Sequence, residues 1–237
     1  MKKIINKELK YNRIEVSPSS KKKKKTIIFY HGWGTTVESN MDVAEVLANE
    51  GYQVIFPEII YHDTRNCLEN HFDEEIIQSY FWKTIITMIK EWDKFIQVIG
   101  IPEHEIILVG SSMGGFIANG IFATRQSLGG LVNINGSGSF VLSEQIFRKQ
   151  VERPELSTVE YNLLKRYDPV QFENCSAPVL LMHGDSDTTV SIDGQKDYYL
   201  YLTEIKKRED VDLFIYENTN HVITLSMVKD LIKWLNI

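Results

Sequence analysis

The chain has 237 residues, 43% of them apolar and 24% charged, a composition that excludes disordered and fibrous architectures and a length that favours one sizeable core. Its formal charge of −6 offers nucleic acid no general attraction. The longest apolar runs, such as Ile106 to Val109 and Val179 to Met182, fall far short of the roughly 18 residues a membrane helix needs.

Taken in chain order, the first 25 residues predict two short strands, around Lys3 to Leu9 and Arg13 to Val16. A Ser17-Pro18-Ser19-Ser20 turn and five lysines follow, which read as a solvated hairpin tip. The N-terminus lacks the apolar segment and small-residue cleavage site of a secretory signal. Cys67 and Cys175 are too isolated for a disulfide framework or a CxxC site. They read as free thiols, and both features point to the cytoplasm.

Beyond the lysines, apolar β-branched runs alternate with longer segments of helical period. The runs are Thr26 to Tyr30, Gln53 to Phe56, Glu105 to Val109, Gly130 to Ile134, Val179 to Met182 and Leu213 to Tyr216. Their unbroken hydrophobicity predicts parallel strands covered on both faces. Helices are predicted over Met41 to Asn49, Asp73 to Ile99, Met113 to Arg125, Gly194 to Lys207 and Val222 to Trp234. In the second, Ile76, Ile77, Tyr80, Phe81, Ile85, Met88, Ile89 and Trp92 form one apolar stripe. The alternation predicts an open α/β sheet, mostly parallel, with helices on both faces and ligands at the carboxyl ends of its strands. Residues 1–237 read as one domain. Ser137 to Phe172 breaks the alternation and reads as a lid insertion over the sheet edge.

The stretch from Glu105 to Phe116 runs from an apolar strand through Gly110-Ser111-Ser112-Met113-Gly114 into a helix. This is G-x-S-x-G, in which the chain reverses so sharply that Ser112 is pushed outward, while Gly110 and Gly114 leave room across the turn. The free amides at the helix start favour negative charge nearby. A serine hydroxyl is a weak nucleophile and needs a base and a group that orients the base. His183-Gly184-Asp185-Ser186-Asp187-Thr188-Thr189-Val190 follows one predicted strand, and Asn220-His221 follows the last.

With these elements in this order, the sequence resembles the α/β-hydrolase superfamily. The layout is similar to small bacterial esterases of the prolyl-oligopeptidase-like or dienelactone-hydrolase-like branch. The resemblance runs from about Thr26 to Trp234. It implies Ser112 as nucleophile, Asp187 as acid and His221 as base, with Asp185 the competing acid. Tyr30-His31-Gly32-Trp33-Gly34 resembles the H-G-x-x oxyanion loop, which implies that the backbone amides of Trp33 and Met113 hold the developing oxyanion. The resemblance implies His31 as a brace for that loop, against a catalytic, metal-binding or pocket role; Arg65 reads as a candidate ligand for a substrate carboxylate or as a solvated or ion-paired arginine, and Trp33, Phe140 and Phe147 as candidate pocket walls.

His62, Cys67 and His71 match no zinc spacing, and the implied mechanism needs neither metal nor cofactor. Asp168-Pro169 reads as a turn or helix cap. The resulting expectation is a serine hydrolase that cleaves carboxylic esters of small soluble molecules through an acyl-enzyme, with no nucleic-acid or membrane partner. The rivals are a peptidase or amidase with the same triad, and a non-catalytic binding protein on the same fold. The ten charges of the insertion argue against an interfacial lipase lid, and a pocket roofed by it would favour acetyl to hexanoyl esters over palmitoyl ones.

Overall fold

Both faces of the central strands are covered, as their unbroken apolar runs require. In the computed structural model, which describes residues 2–4, 11–18, 24–173 and 175–236, the strands are β1 (Lys2–Ile4), β2 (Arg13–Val16), β3 (Thr26–Tyr30), β4 (Gln53–Pro57), β5 (Ile106–Ser111), β6 (Gly130–Ile134), β7 (Val179–Gly184) and β8 (Val211–Tyr216). They form one sheet in the order β1-β2-β4-β3-β5-β6-β7-β8. β3 to β8 run parallel, and β2 joins β4 antiparallel, carrying β1 at the edge. Residues 5–9 of the predicted first strand, Ser19 and Ser20 of the predicted turn, and Lys21 to Lys23 of the lysine run lie outside the described residues. Lys24 and Lys25 are exposed.

The helices are α1 (Met41–Asn49), α2 (Glu74–Ile99), α3 (Met113–Ala123), α4 (Phe140–Gln150), α5 (Thr158–Lys165), α6 (Ile192–Leu200) and α7 (Leu225–Leu235). Strand alternation divides the core. Ile28 and Tyr30 of β3 join the layer containing Trp92, Phe116 and Tyr198, while Ile27 and Phe29 join the layer containing Leu47 and Leu231. Thus α2, α3 and α6 cover one face, and α1 and α7 the other. In α2 the apolar stripe is buried from Thr84 to Phe95, but Ile77 in the first turns stays exposed. Asp73 caps this helix by accepting the amides of Glu75 and Ile76, and Gly100, in the left-handed region at φ 68, ends it.

α7 begins three residues later than its periodicity predicts. Thr224 accepts the amide of Met227 in a capping box, which leaves residues 222–224 in the loop after His221. The segment 137–172 contains two helices that sequence periodicity does not announce, because α4 and α5 are short and rich in charge. α4 is pinned from the far end of the segment. The buried carboxylate of Asp168 accepts the amides of Phe140 and Val141 at 3.0 Å each, so it caps a helix 28 residues upstream. Burial pushes its carboxyl up from the ordinary value, against the pull of the amides of Val141, Phe140 and Val170.

Asp168→Ala is expected to lose about 1–2 kcal/mol of stability, the range of a lost helix cap. Urea unfolding against the wild type checks this. An unchanged midpoint and slope would mean that the bonds to Phe140 and Val141 contribute nothing net.

Candidate active site

The elbow is built by sterics. β5 must end and α3 begin within two residues, and Ser112 takes the turn at φ 55, ψ −124, a region that costs a non-glycine residue about 1–3 kcal/mol. Neighbouring bonds hold it there: the Ser112 amide donates to the Ile134 carbonyl at 2.8 Å, and the Ser112 carbonyl accepts from the Gly115 amide at 2.8 Å. A Cβ on Gly110 would strike the backbone of Gly114, and one on Gly114 would strike the carbonyl of Tyr30, so both positions require glycine.

From this apex the Ser112 hydroxyl lies 2.8 Å from His221 Nε2. His221 Nδ1 lies 2.6 Å from Asp187 Oδ2. The three side chains come from the ends of β5, β7 and β8, and they form one hydrogen-bonded chain across the carboxyl edge of the sheet. Asp187 is further anchored through Oδ1, which accepts the amides of Thr189 and Val190 at 2.9 Å. Burial raises the carboxyl of Asp187, but the bonds from His183, His221 and the Val190 amide outweigh it and hold the group well below the usual carboxylate range. It is therefore charged at neutral pH. Asp185 is exposed and, among the described residues, its side chain accepts the Ser186 hydroxyl at 2.8 Å and makes no bond to His221.

The loop after β3 lies against this chain. A Cβ placed on Gly32 would be 3.7 Å from the Ser112 hydroxyl oxygen. Met113 is the first residue of α3, and its amide therefore has no intrahelical acceptor. His31 does not line the cleft beside Ser112. It is fully buried, with Nε2 3.0 Å from Asp63 Oδ2 and Nδ1 3.2 Å from the Thr35 hydroxyl, and it ties the loop to the segment after β4.

His62 gives the loop a second hold, since its Nε2 accepts the Gly34 amide at 3.0 Å. Burial is the largest cause that lowers its ring to about 3, so the imidazole stays neutral and keeps that lone pair. Trp33 donates its indole N–H to the His71 carbonyl at 2.6 Å, and its ring stands edge-on to His62 and His71. His62 and His71 thus serve the loop, whereas Cys67 is exposed. Among the described residues no group of three His, Cys, Asp or Glu is placed to hold a metal ion.

The remaining pocket expectations are corrected by packing. Arg65 is buried, donating to the Glu58 carbonyl at 2.8 Å and to Glu91 on α2 at 2.8 and 3.1 Å. All of this directs it inward, because a guanidinium removed from water needs an anion beside it. Phe140 is fully buried against Trp82 and Phe116, and Phe147 packs on Phe81 and Phe116. Neither they nor any other residue of 137–172 lines the cleft of about 520 Å³ beside Ser112. The expected roof is absent there because α4 has spent its apolar face on α2 and α3.

Two asparagines that no motif singles out hold the loops together. Asn220 accepts the amides of Thr188 at 3.0 Å and His221 at 2.7 Å, which latches the loop of Asp187 to that of His221. Asn135, at φ 52, accepts the Gly184 amide at 3.1 Å and donates to the Val222 carbonyl at 2.9 Å. A lone asparagine after a strand is the available sequence signal, and it fits many turns equally well.

Sheet order, crossover helices and an elbow at the end of β5 together define the α/β-hydrolase fold. The chain belongs to the dienelactone hydrolase family, whose model matches residues 13–226. It is 24% identical over 227 residues to "Putative esterase YitV" of Bacillus subtilis (strain 168), covering 88% of this chain and 87% of that protein. It is 26% identical over 180 residues to "Esterase YjfP" of Escherichia coli (strain K12), covering 70% of each. Among solved structures, esterase PE8 superposes with a TM-score of 0.68 at 17% identity, over 94% of this chain and 96% of that one. Membership of this family makes the chain a hydrolase. Among the described residues no helix is long and apolar enough to cross a membrane.

Proposed function

We propose that the protein is a serine-dependent hydrolase of carboxylic esters of small molecules, working through an acyl-enzyme. The observation that carries this reading is the chain Asp187–His221–Ser112, with contacts of 2.6 and 2.8 Å. Ser112 attacks the ester carbonyl, and neutral His221 takes its proton at Nε2. The anionic Asp187 holds Nδ1–H in place and stabilises the imidazolium. Charge that develops on the carbonyl oxygen is met by the amides of Trp33 and Met113, the first held by the His31 and His62 braces of its loop. The tetrahedral intermediate collapses as His221 returns the proton to the leaving alcohol. Water then repeats the sequence on the acylated Ser112, and the acid departs.

The test is kinetic. With a p-nitrophenyl ester, an initial burst of nitrophenol stoichiometric with enzyme is expected wherever deacylation is slower than acylation. His221→Ala is expected to remove the burst and to lower kcat on the order of 10⁶, the scale seen when a triad base is removed. Full activity in His221→Ala would remove His221 from the role of base.

A further inference from the structure

The cleft beside Ser112 is walled by α1 and the loop ahead of it on one side, and by the loop after His221 and the start of α7 on the other. Its aliphatic lining is Val43, Val46, Val222, Ile223, Leu225 and Val228. Three of these are left to water: Leu225 is 81% exposed, Val222 54% and Val46 38%. Scattered exposed aliphatics are ordinary, but these share one concavity with the nucleophile. The wall is held in place, because Asn135 fixes the Val222 carbonyl and Thr224 caps α7. Among the described residues that line it there is no lysine or arginine. Asp42, an exposed carboxylate in the first turn of α1, is the acidic side chain among those described lining residues.

Resting on the reading of Ser112 as an ester-cleaving nucleophile, we infer that this cleft takes the larger half of an ester whose substituent is aliphatic and carries no negative charge, and that Asp42 is a specificity-determining residue that turns carboxylates away. An aliphatic chain laid along the valines and leucine leaves water, which is worth up to about fourfold in binding per fully buried methylene. A carboxylate entering the same space would shed water with no cation to receive it, beside the like charge of Asp42. A neutral or cationic substituent meets no such penalty. Since 137–172 does not roof the cleft, its open side allows a chain to extend beyond hexanoyl before solvent takes over.

Two matched series test this, one for each half of the ester. The acyl series is p-nitrophenyl butanoate, octanoate, hemiadipate and the methyl-capped hemiadipate. The alcohol series is hexyl acetate, 6-acetoxyhexanoate and its methyl ester, followed by pH-stat at neutral pH. In the series whose variable half occupies the cleft, the methyl-capped substrate is expected to exceed its carboxylate twin in kcat/KM by about tenfold or more. Asp42→Lys is expected to shrink that ratio by about fivefold or more. Should Asp42→Lys fold poorly, Asp42→Asn is expected to move the ratio in the same direction by a smaller factor. Parity of capped and carboxylate substrates in both series, or a ratio unmoved by both Asp42 variants, overturns the inference and leaves the hydrolase reading intact. Failure of the wild type to turn over any member, together with no labelling of Ser112 by a fluorophosphonate, overturns the hydrolase reading and this inference with it.

Discussion

Ser112→Ala is expected to abolish ester hydrolysis, with a fall in kcat on the order of 10⁶, the scale seen when a triad nucleophile is removed. Fluorophosphonate labelling is expected to vanish with it. Ser111→Ala is the matched control, since the two serines are adjacent and only their backbones distinguish them. Ser111 closes β5 with regular strand pairing to Ile134, whereas Ser112 occupies the strained apex, with its hydroxyl 2.8 Å from His221 Nε2. Ser111→Ala is therefore expected to stay within a few-fold of wild type, because its backbone geometry tolerates alanine and His221 is left untouched. Steady-state kinetics with mass-spectrometric mapping of the labelled peptide checks both outcomes. A label on Ser111, or full activity in Ser112→Ala, would remove the elbow from the mechanism. Ser112→Ala is also expected to fold, since the bonds that hold the turn are made by the backbone.

The second large effect separates two carboxylates that stand two residues apart. Asp187→Asn is expected to lower kcat by about 10⁴, as when an amide replaces the triad acid and the imidazole is held in the wrong tautomer. The fold should survive the change, because the asparagine carbonyl can still accept the amides of Thr189 and Val190. Asp185→Asn is expected to change kcat by less than about threefold, in line with an exposed surface substitution. The reverse ranking in steady-state assays would transfer the role of the acid to Asp185. The physical contrast lies in burial: the Asp187 side chain is inaccessible to water, and its charge is held by donors on several sides.

Much of the fold is legible in short windows of sequence. Unbroken runs such as Ile27 to Tyr30 and Leu180 to Met182 can be satisfied only by strands with cover on both faces, and both are buried in the sheet. Gly110 and Gly114 flank a serine because no other residue fits the reversal between strand and helix, a constraint that involves five consecutive positions. Asp187 and His221 lie in the segments that follow β7 and β8, so their common edge follows from parallel topology alone.

What the sequence by itself determines here is local: element type, the elbow, and the edge of the sheet that bears Ser112, Asp187 and His221. The tertiary structure decides which polar and aromatic groups still face solvent once the chain has folded. Arg65 is claimed by Glu91, 26 residues away, and Asp168 by the amides of Phe140 and Val141. Phe140 and Phe147 are drawn into the layer around Phe116, which carries 137–172 away from the cleft. His62 and His71 become supports of the Trp33 loop. The reason is physical: periodicity and turn sterics act over a few residues, whereas the partner that compensates a buried charge or fills a cavity is set by proximity in the folded chain, and sequence spacing does not specify it.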